Sequence, residues 1–251
     1  MSTIKFNILN WSAISPGLTE PESWSQWLAD GKCWPEALTA VPSDSIPAMM
    51  RRRMSTLSKL AVQTAITLST DQQVDYVIFS SRHGEFSRTC QLLDHVIAGQ
   101  PASPMAFSQS VHNTAVGLFT IATKQAIPST SVSACLHSVH AGLIEAVAYL
   151  SEYPHHRVLV VDFDEPLPDN YSIYERSPYH GYALGLVLSA GDQYQLDWQS
   201  QRIITQHDQP VGESDYPQGL AIIAGLLSET DAWSVSDTRF DWRWQRRIAT
   251  G

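Results

Sequence analysis

Arg157-Val158-Leu159-Val160-Val161-Asp162 decides the fold. Consecutive aliphatic residues, mostly β-branched and closed by charge at both ends, make a strand covered on both faces, because a half-exposed strand would alternate apolar with polar residues. Outward from it, Leu136 to Leu150 repeats apolar residues at helical spacing, and Thr130 to Ala134 is a short strand before that helix. Downstream, Tyr182 to Ser189 is an apolar run of strand length. Further upstream, Val74-Asp75-Tyr76-Val77-Ile78-Phe79 reads as a buried strand ending at the polar stretch Ser80 to Gly84, with helical patterns over Phe86 to Ala98 and Val111 to Lys124. Strands separated by helices predict an α/β protein with a largely parallel sheet, since parallel neighbours need long crossovers.

The remaining segments are less regular. Ile4, Phe6 and Ile8 alternate as an opening strand, and Trp24, Trp27 and Leu28 follow Pro21 as a short amphipathic helix. From Ala48 to Leu68 the spacing predicts one long helix with Arg51, Arg52 and Arg53 near its start, where positive charge opposes the helix dipole. After Gly191 the pattern weakens: Tyr194 to Trp198 and Arg202 to Ile204 predict short strands and Pro217 to Leu227 a helix. The end containing Trp233, Trp242 and Trp244 predicts a packed flap. The expected division is a main unit over residues 1–191 and a small remnant over 192–251 packed on it.

Composition bounds the function. With 43% hydrophobic and 16% charged residues, 251 residues bury one substantial core. A net charge of -9 without a basic block excludes a primary nucleic-acid role. Apolar runs fall short of a membrane span, and the N-terminus carries no signal core, so a soluble cytoplasmic protein is expected. Cys33, Cys90 and Cys135 are scattered, with no CxxC pair, which predicts free thiols and no metal; no cofactor is expected either.

Chemistry concentrates at Pro128-Ser129-Thr130-Ser131-Val132-Ser133-Ala134-Cys135-Leu136-His137-Ser138-Val139-His140-Ala141-Gly142. A strand that runs into a cysteine opening a helix sets the sulfur on a sharp turn. There the helix N-terminus favours a thiolate and backbone N–H groups can hold an oxyanion. Unpaired cysteine is also among the most buried residue types, so position alone leaves a packing role open. His137 and His140, three apart, share a helix face. Arg82 and His83 end a strand, with a salt-bridged pocket around Glu85 as the expected setting.

Together with Phe107-Ser108-Gln109-Ser110-Val111-His112-Asn113 and Gly117, this segment resembles the nucleophile region of β-ketoacyl synthases. In that family a Ser/Asn-containing helix, a Gly-Pro-Ser-like turn and a strand lead to Ala-Cys, with Val-His a few residues on. Ile127-Pro128-Ser129, Ala134-Cys135 and Val139-His140 stand at those positions, while Leu136, His137 and Ser138 replace the small residues after the nucleophile. Tyr182 to Ser189 is similar to the Gly-rich strand that ends the first half of that fold. Three further blocks, Ile46 to Arg53, Phe79 to Glu85 and Ser103 to Asn113, resemble a shorter chain-length-factor-like family of aryl polyene biosynthesis.

The resemblance implies a thiolase-like fold with its first half complete and its second half truncated. It also implies that the two catalytic histidines of the second half are missing: some sixty residues follow Gly191, and His207 is their sole histidine. The implied role is a non-catalytic subunit in a heterodimer with a full-length ketosynthase, meeting acyl carrier protein through the complex, in type II polyketide or fatty-acid-like (aryl polyene) elongation. The chain alone could form a homodimer. Cys135 is then a vestigial or candidate nucleophile, the alternative being a self-acylating acyltransferase or condensing enzyme. By the same resemblance, Phe107, Ser110, His112, Asn113, Val116 and Phe119 line the substrate tunnel or the interface, and Ser129 to Ser133 pairs across the two-fold in an interface of more than about 2,000 Å².

Overall fold

The computed structural model describes residues 2–70, 72–101, 103–175, 177–201, 216–237 and 239–247. Among these residues seven strands form one sheet: β1 (Ser2–Ile14), β2 (Tyr76–Ser80), β3 (Ser129–Val132), β4 (Arg157–Asp164), β5 (Tyr182–Ser200), β6 (Ala232–Ser236) and β7 (Phe240–Arg246). Their order is β3-β2-β4-β5-β7-β6, with β1 also paired to β5. Period-two alternation sends Val158 and Val160 of β4 into one core and Leu159, Val161 and Phe163 into the other, so the deciding strand is covered on both faces. One core packs under α1 (Pro21–Ala29), α7 (Ser138–Glu152) and α8 (Gln218–Leu227); the other under α3 (Thr56–Thr70) and α6 (Thr114–Thr123).

The sheet is mixed rather than largely parallel. Only β3, β2 and β4 run parallel; β5 is antiparallel to β4, β1 and β7. The cause is the link between β4 and β5, which among its described residues holds only a 3₁₀ turn (Asp169–Tyr174) and so cannot carry the chain across the sheet for a parallel return. β5 also runs unbroken through Gly191, past the point where the apolar pattern fades, because Asn7 bridges the bulge there: its Nδ2 donates to the Ala190 carbonyl at 3.3 Å and its Oδ1 accepts from the Gln193 amide at 3.1 Å.

The long helix expected from Ala48 is two helices, α2 (Ala48–Arg51) and α3. Ser55 makes the break, its Oγ accepting the Ser58 amide at 2.9 Å as an N-terminal cap. Arg51 therefore lies in the last turn of α2, where positive charge suits the dipole, and it pairs with Asp44 at 2.9 Å. The Ser55 hydroxyl also donates to Glu85, which is 4% exposed, at 2.6 Å. Ser55→Ala removes the cap and a donor to a buried carboxylate together, and is expected to lower unfolding stability by about 2 kcal/mol in urea titration. No helix among the described residues is long and apolar enough to cross a membrane.

Candidate functional site

β3 leaves the sheet into Ala134 and Cys135, and the chain then turns into α7. Cys135 takes a left-handed conformation, φ +54°, which a non-glycine residue holds only where the surroundings enforce it. Ser138 does the enforcing: its hydroxyl accepts from the Ala134 amide at 3.0 Å and donates to the Cys135 carbonyl at 2.7 Å. The residue is exposed and sits ahead of the first turn of α7, as the strand-cysteine-helix pattern predicts. Cys33 and Cys90 are likewise free thiols.

Behind Cys135 there is almost no room. The chamber it lines with Arg82, Leu136, Asp164, Tyr182 and Gly219 has a volume of about 10 Å³, which one water molecule would fill. Asp162 and Asp164, two apart on β4, point to the same side. Asp162 accepts from Ser80 Oγ and Tyr182 Oη, each at 2.7 Å. Asp164 accepts from Ser81 Oγ at 2.8 Å and from the amides of Arg82 and His83 at 3.0 and 3.2 Å. Burial pushes both carboxyls above the usual carboxylate range, and at Asp162 the neighbouring Asp164 adds to the rise. Gly219 closes the wall: a Cβ there would lie 2.3 Å from Asp162 Oδ2 and 2.6 Å from Tyr182 Oη.

His137, at the N-cap of α7, and His140 within the helix are joined through the C-terminal segment. His140 is fully buried and stacked on Trp242 at 4.2 Å. Trp244 Nε1, which can only donate, lies 3.2 Å from His140 Nε2, so the proton of the neutral ring is on Nδ1, which donates to Gln218 Oε1 at 2.6 Å. Burial lowers the His140 pKa to about 3. Gln218 Nε2 passes the chain on to Asp237 Oδ2 at 2.8 Å, and His137 Nδ1 lies 2.9 Å from the same oxygen. Burial of Asp237 opposes its charge, but the His137 contact and the amides of Arg239 and Phe240 hold its carboxyl below the ordinary value.

The Trp-rich end is packed, as expected, but as β6 and β7 of the main sheet rather than as a flap, and its period-two Trp242 and Trp244 were the available signal. Gln218 and Asp237 carried no signal, because their partners on α7 are distant in sequence. His83 and Glu85 do not share a pocket: Glu85 binds Ser55, Ser58 and Arg88, while the His83 amide goes to Asp164. Burial lowers the His83 pKa to about 4, with Arg82 adding to the effect.

The six tunnel or interface positions separate. Phe107, on α5 (Pro104–Ser108), is 62% exposed; Asn113 is exposed and Ser110 half-buried. His112 anchors the turn after β2 (Tyr76–Ser80), its Nε2 lying 3.0 Å from the Ser81 carbonyl and its ring packed on Gly84. Val116 and Phe119 lie in the core under α6, Phe119 against Phe79 at 6.0 Å. His207 and Arg202 to Ile204 fall outside the described residues.

Comparison with known proteins gives the following. The family model described as β-ketoacyl synthase, N-terminal domain, matches residues 24–245. No curated protein sequence matches. Among solved structures, a ketosynthase (ApeO) in complex with its chain length factor (ApeC) from Xenorhabdus doucetiae is similar with a TM-score of 0.84 at 33% identity, covering 97% of this chain and 100% of the matched one. The ishigamide ketosynthase/chain length factor gives 0.68 at 11% identity, covering 96% and 99%. A type II acyl-carrier protein complex with its ketosynthase, AntDE:AntF, gives 0.67 at 11%, covering 97% and 99%. At that identity the last two speak for the fold alone.

Proposed function

The chain belongs to the β-ketoacyl synthase, N-terminal domain, family and has its thiolase-like fold, and on that premise we propose that it is a chain-length-factor-like, non-catalytic partner of a ketosynthase. The observation that carries this is the chamber of about 10 Å³ behind Cys135. A condensing enzyme needs a thiolate with room for an acyl chain and imidazoles free to assist decarboxylation and hold the enolate. Here the space is filled by the Asp162–Tyr182 pair and Gly219, and His140 has both ring nitrogens occupied while His137 faces Asp237. We read residues 1–191 as the main unit and 192–251 as a remnant joined to it through β5, which crosses that boundary.

Partnership is supported by surface. Among the described residues β3 is a sheet-edge strand with no strand paired on its outer side, and an edge of that kind is a template for a second chain. Exposed Leu93, Val96, Ile97, Met105, Phe107 and Val111 on and after α4 (Phe86–Ile97) and α5 form an apolar surface of the sort that marks a protein interface. The ketosynthase would carry the thioester chemistry on chains delivered by acyl carrier protein in the cytoplasm, in type II polyketide or aryl polyene elongation. Phe107, Ser110 and Asn113 would meet the partner directly, with His112, Val116 and Phe119 supporting them from behind. The test is co-expression with the ketosynthase of the same host: a stable heterodimer and elongated product are expected, and a chain that stays alone with no effect on product sinks the reading.

A second reading, self-acylation, is favoured by the exposed, left-handed Cys135 at the start of α7. Intact-mass measurement after exposure to an acyl carrier protein thioester separates the two. No adduct is expected, and Cys135→Ala should leave product formation by the reconstituted pair within about twofold; an adduct lost in Cys135→Ala would establish the enzyme reading instead.

A further inference from the structure

A second cavity, of about 360 Å³, opens between α4, α5 and the end of β4, lined by Glu85, Arg88, His95 and Glu165 among others. Its charges are unevenly matched. Glu85 accepts from the hydroxyls of Ser55 and Ser58 at 2.6 and 2.5 Å and pairs with Arg88 Nε at 3.3 Å. The rest of the Arg88 guanidinium is held by Gln109 Oε1 and the Arg53 carbonyl. The Glu165 carboxylate accepts one hydrogen bond, from Ser87 Oγ at 2.8 Å, and no cation among the described residues forms an ion pair with it. Burial pushes its carboxyl up; the Ser87 hydrogen bond and the charge of Arg88 work against this, and the charges of Glu85 and Asp164 add to it.

The surroundings say what could supply the missing charge. α4 buries none of its residues fully, and Leu93, Val96 and Ile97 on it, with Met105 and Phe107 on α5, are exposed. A free inorganic cation would leave that apolar surface wet, whereas a cation on a protein side chain brings apolar atoms to cover it. We propose that this cavity receives an arginine or lysine side chain of the ketosynthase subunit, which pairs with Glu165 in the assembled heterodimer. Charge complementarity beside an exposed apolar surface fixes register and selects the partner. The inference rests on the reading of the chain as a ketosynthase partner and adds to it the anchor.

The experiment measures the dissociation constant of the full chain with its ketosynthase at two salt concentrations, for the natural chain, Glu165→Gln, Glu165→Asp and the exposed control Glu152→Gln. Glu165→Gln is expected to weaken binding at least about tenfold and to flatten the salt dependence, Glu165→Asp to fall between, and Glu152→Gln to leave binding unchanged. Thermal melting checks the fold; if Glu165→Gln melts early, Glu165→Asp reads the same quantity with the charge kept but withdrawn. Binding by Glu165→Gln within twofold of the natural chain overturns the anchor while leaving the subunit reading intact. Failure of the natural chain to bind at all removes both.

Discussion

Gln218→Leu is expected to destabilise the chain by about 3–5 kcal/mol, seen as a drop of about 10 °C in melting temperature. Leucine keeps roughly the volume of glutamine, so packing is not what changes. The His140 Nδ1–H loses its acceptor and Asp237 loses a donor, both in buried positions: His140 is 0% exposed and Asp237 6%. An unpaired buried donor costs about 1–3 kcal/mol and a weakened buried charge more. A melting temperature within 1 °C of the natural chain would mean that the relay from Trp244 to Asp237 does not hold the C-terminal segment on α7.

The same relay gives an acid limb with a definite sign. The folded chain keeps His140 neutral down to about pH 3, whereas an unfolded chain protonates it near 6.5, so the unfolded state binds more protons in between. Stability is fully present above pH 6.5 and falls as pH drops toward 3, by at most about 1.4 kcal/mol per pH unit from this group. Asp237, with its carboxyl held low, adds to the loss at the acid end. Asp162 and Asp164 act oppositely: their carboxyls are raised, so their contribution declines as pH rises out of the usual carboxylate range. In His140→Phe the component between pH 6 and 4 should vanish from melting curves, leaving only the aspartate terms.

What could be foreseen from sequence divides along a physical line. Strands covered on both faces, such as Val158 to Val161, announce themselves because every side chain must be apolar. The turn at Cys135 was legible for a similar reason: a strand ending in a small residue before a helical repeat leaves few ways to connect. The break at Ser55 hid inside a continuous apolar period, because a cap is one hydrogen bond and leaves the spacing on either side intact. β5 beyond Gly191 was obscured where residues 190 to 193 are exposed, although the strand itself continues to Ser200. Long-range polar pairing is the hardest to foresee. Nothing around Gln218 indicates that it meets a histidine 78 residues earlier, and so the fate of His140 as a packed, neutral ring had no local sign.

Phe119→Ala carries the other large effect, and it shows why facing matters as much as periodicity. The helical pattern over Val111 to Lys124 is real, yet it does not say which turn faces a partner and which the sheet. Phe119 is 0% exposed, packed on Phe79 within the core beneath α3 and α6, so truncation opens a cavity that its rigid neighbours cannot close. The expected cost is about 3–5 kcal/mol in chemical denaturation. Phe107→Ala, by contrast, removes a ring that is 62% exposed and should leave stability within about 0.5 kcal/mol while weakening association with the ketosynthase. If the two substitutions instead changed stability equally, Phe107 would be packed in solution and the apolar surface offered to the partner would be smaller than described. If Phe119→Ala proved harmless to folding but lengthened the products of the reconstituted pair, the ring would belong to the tunnel wall, and the core under α6 would have to be redrawn around it.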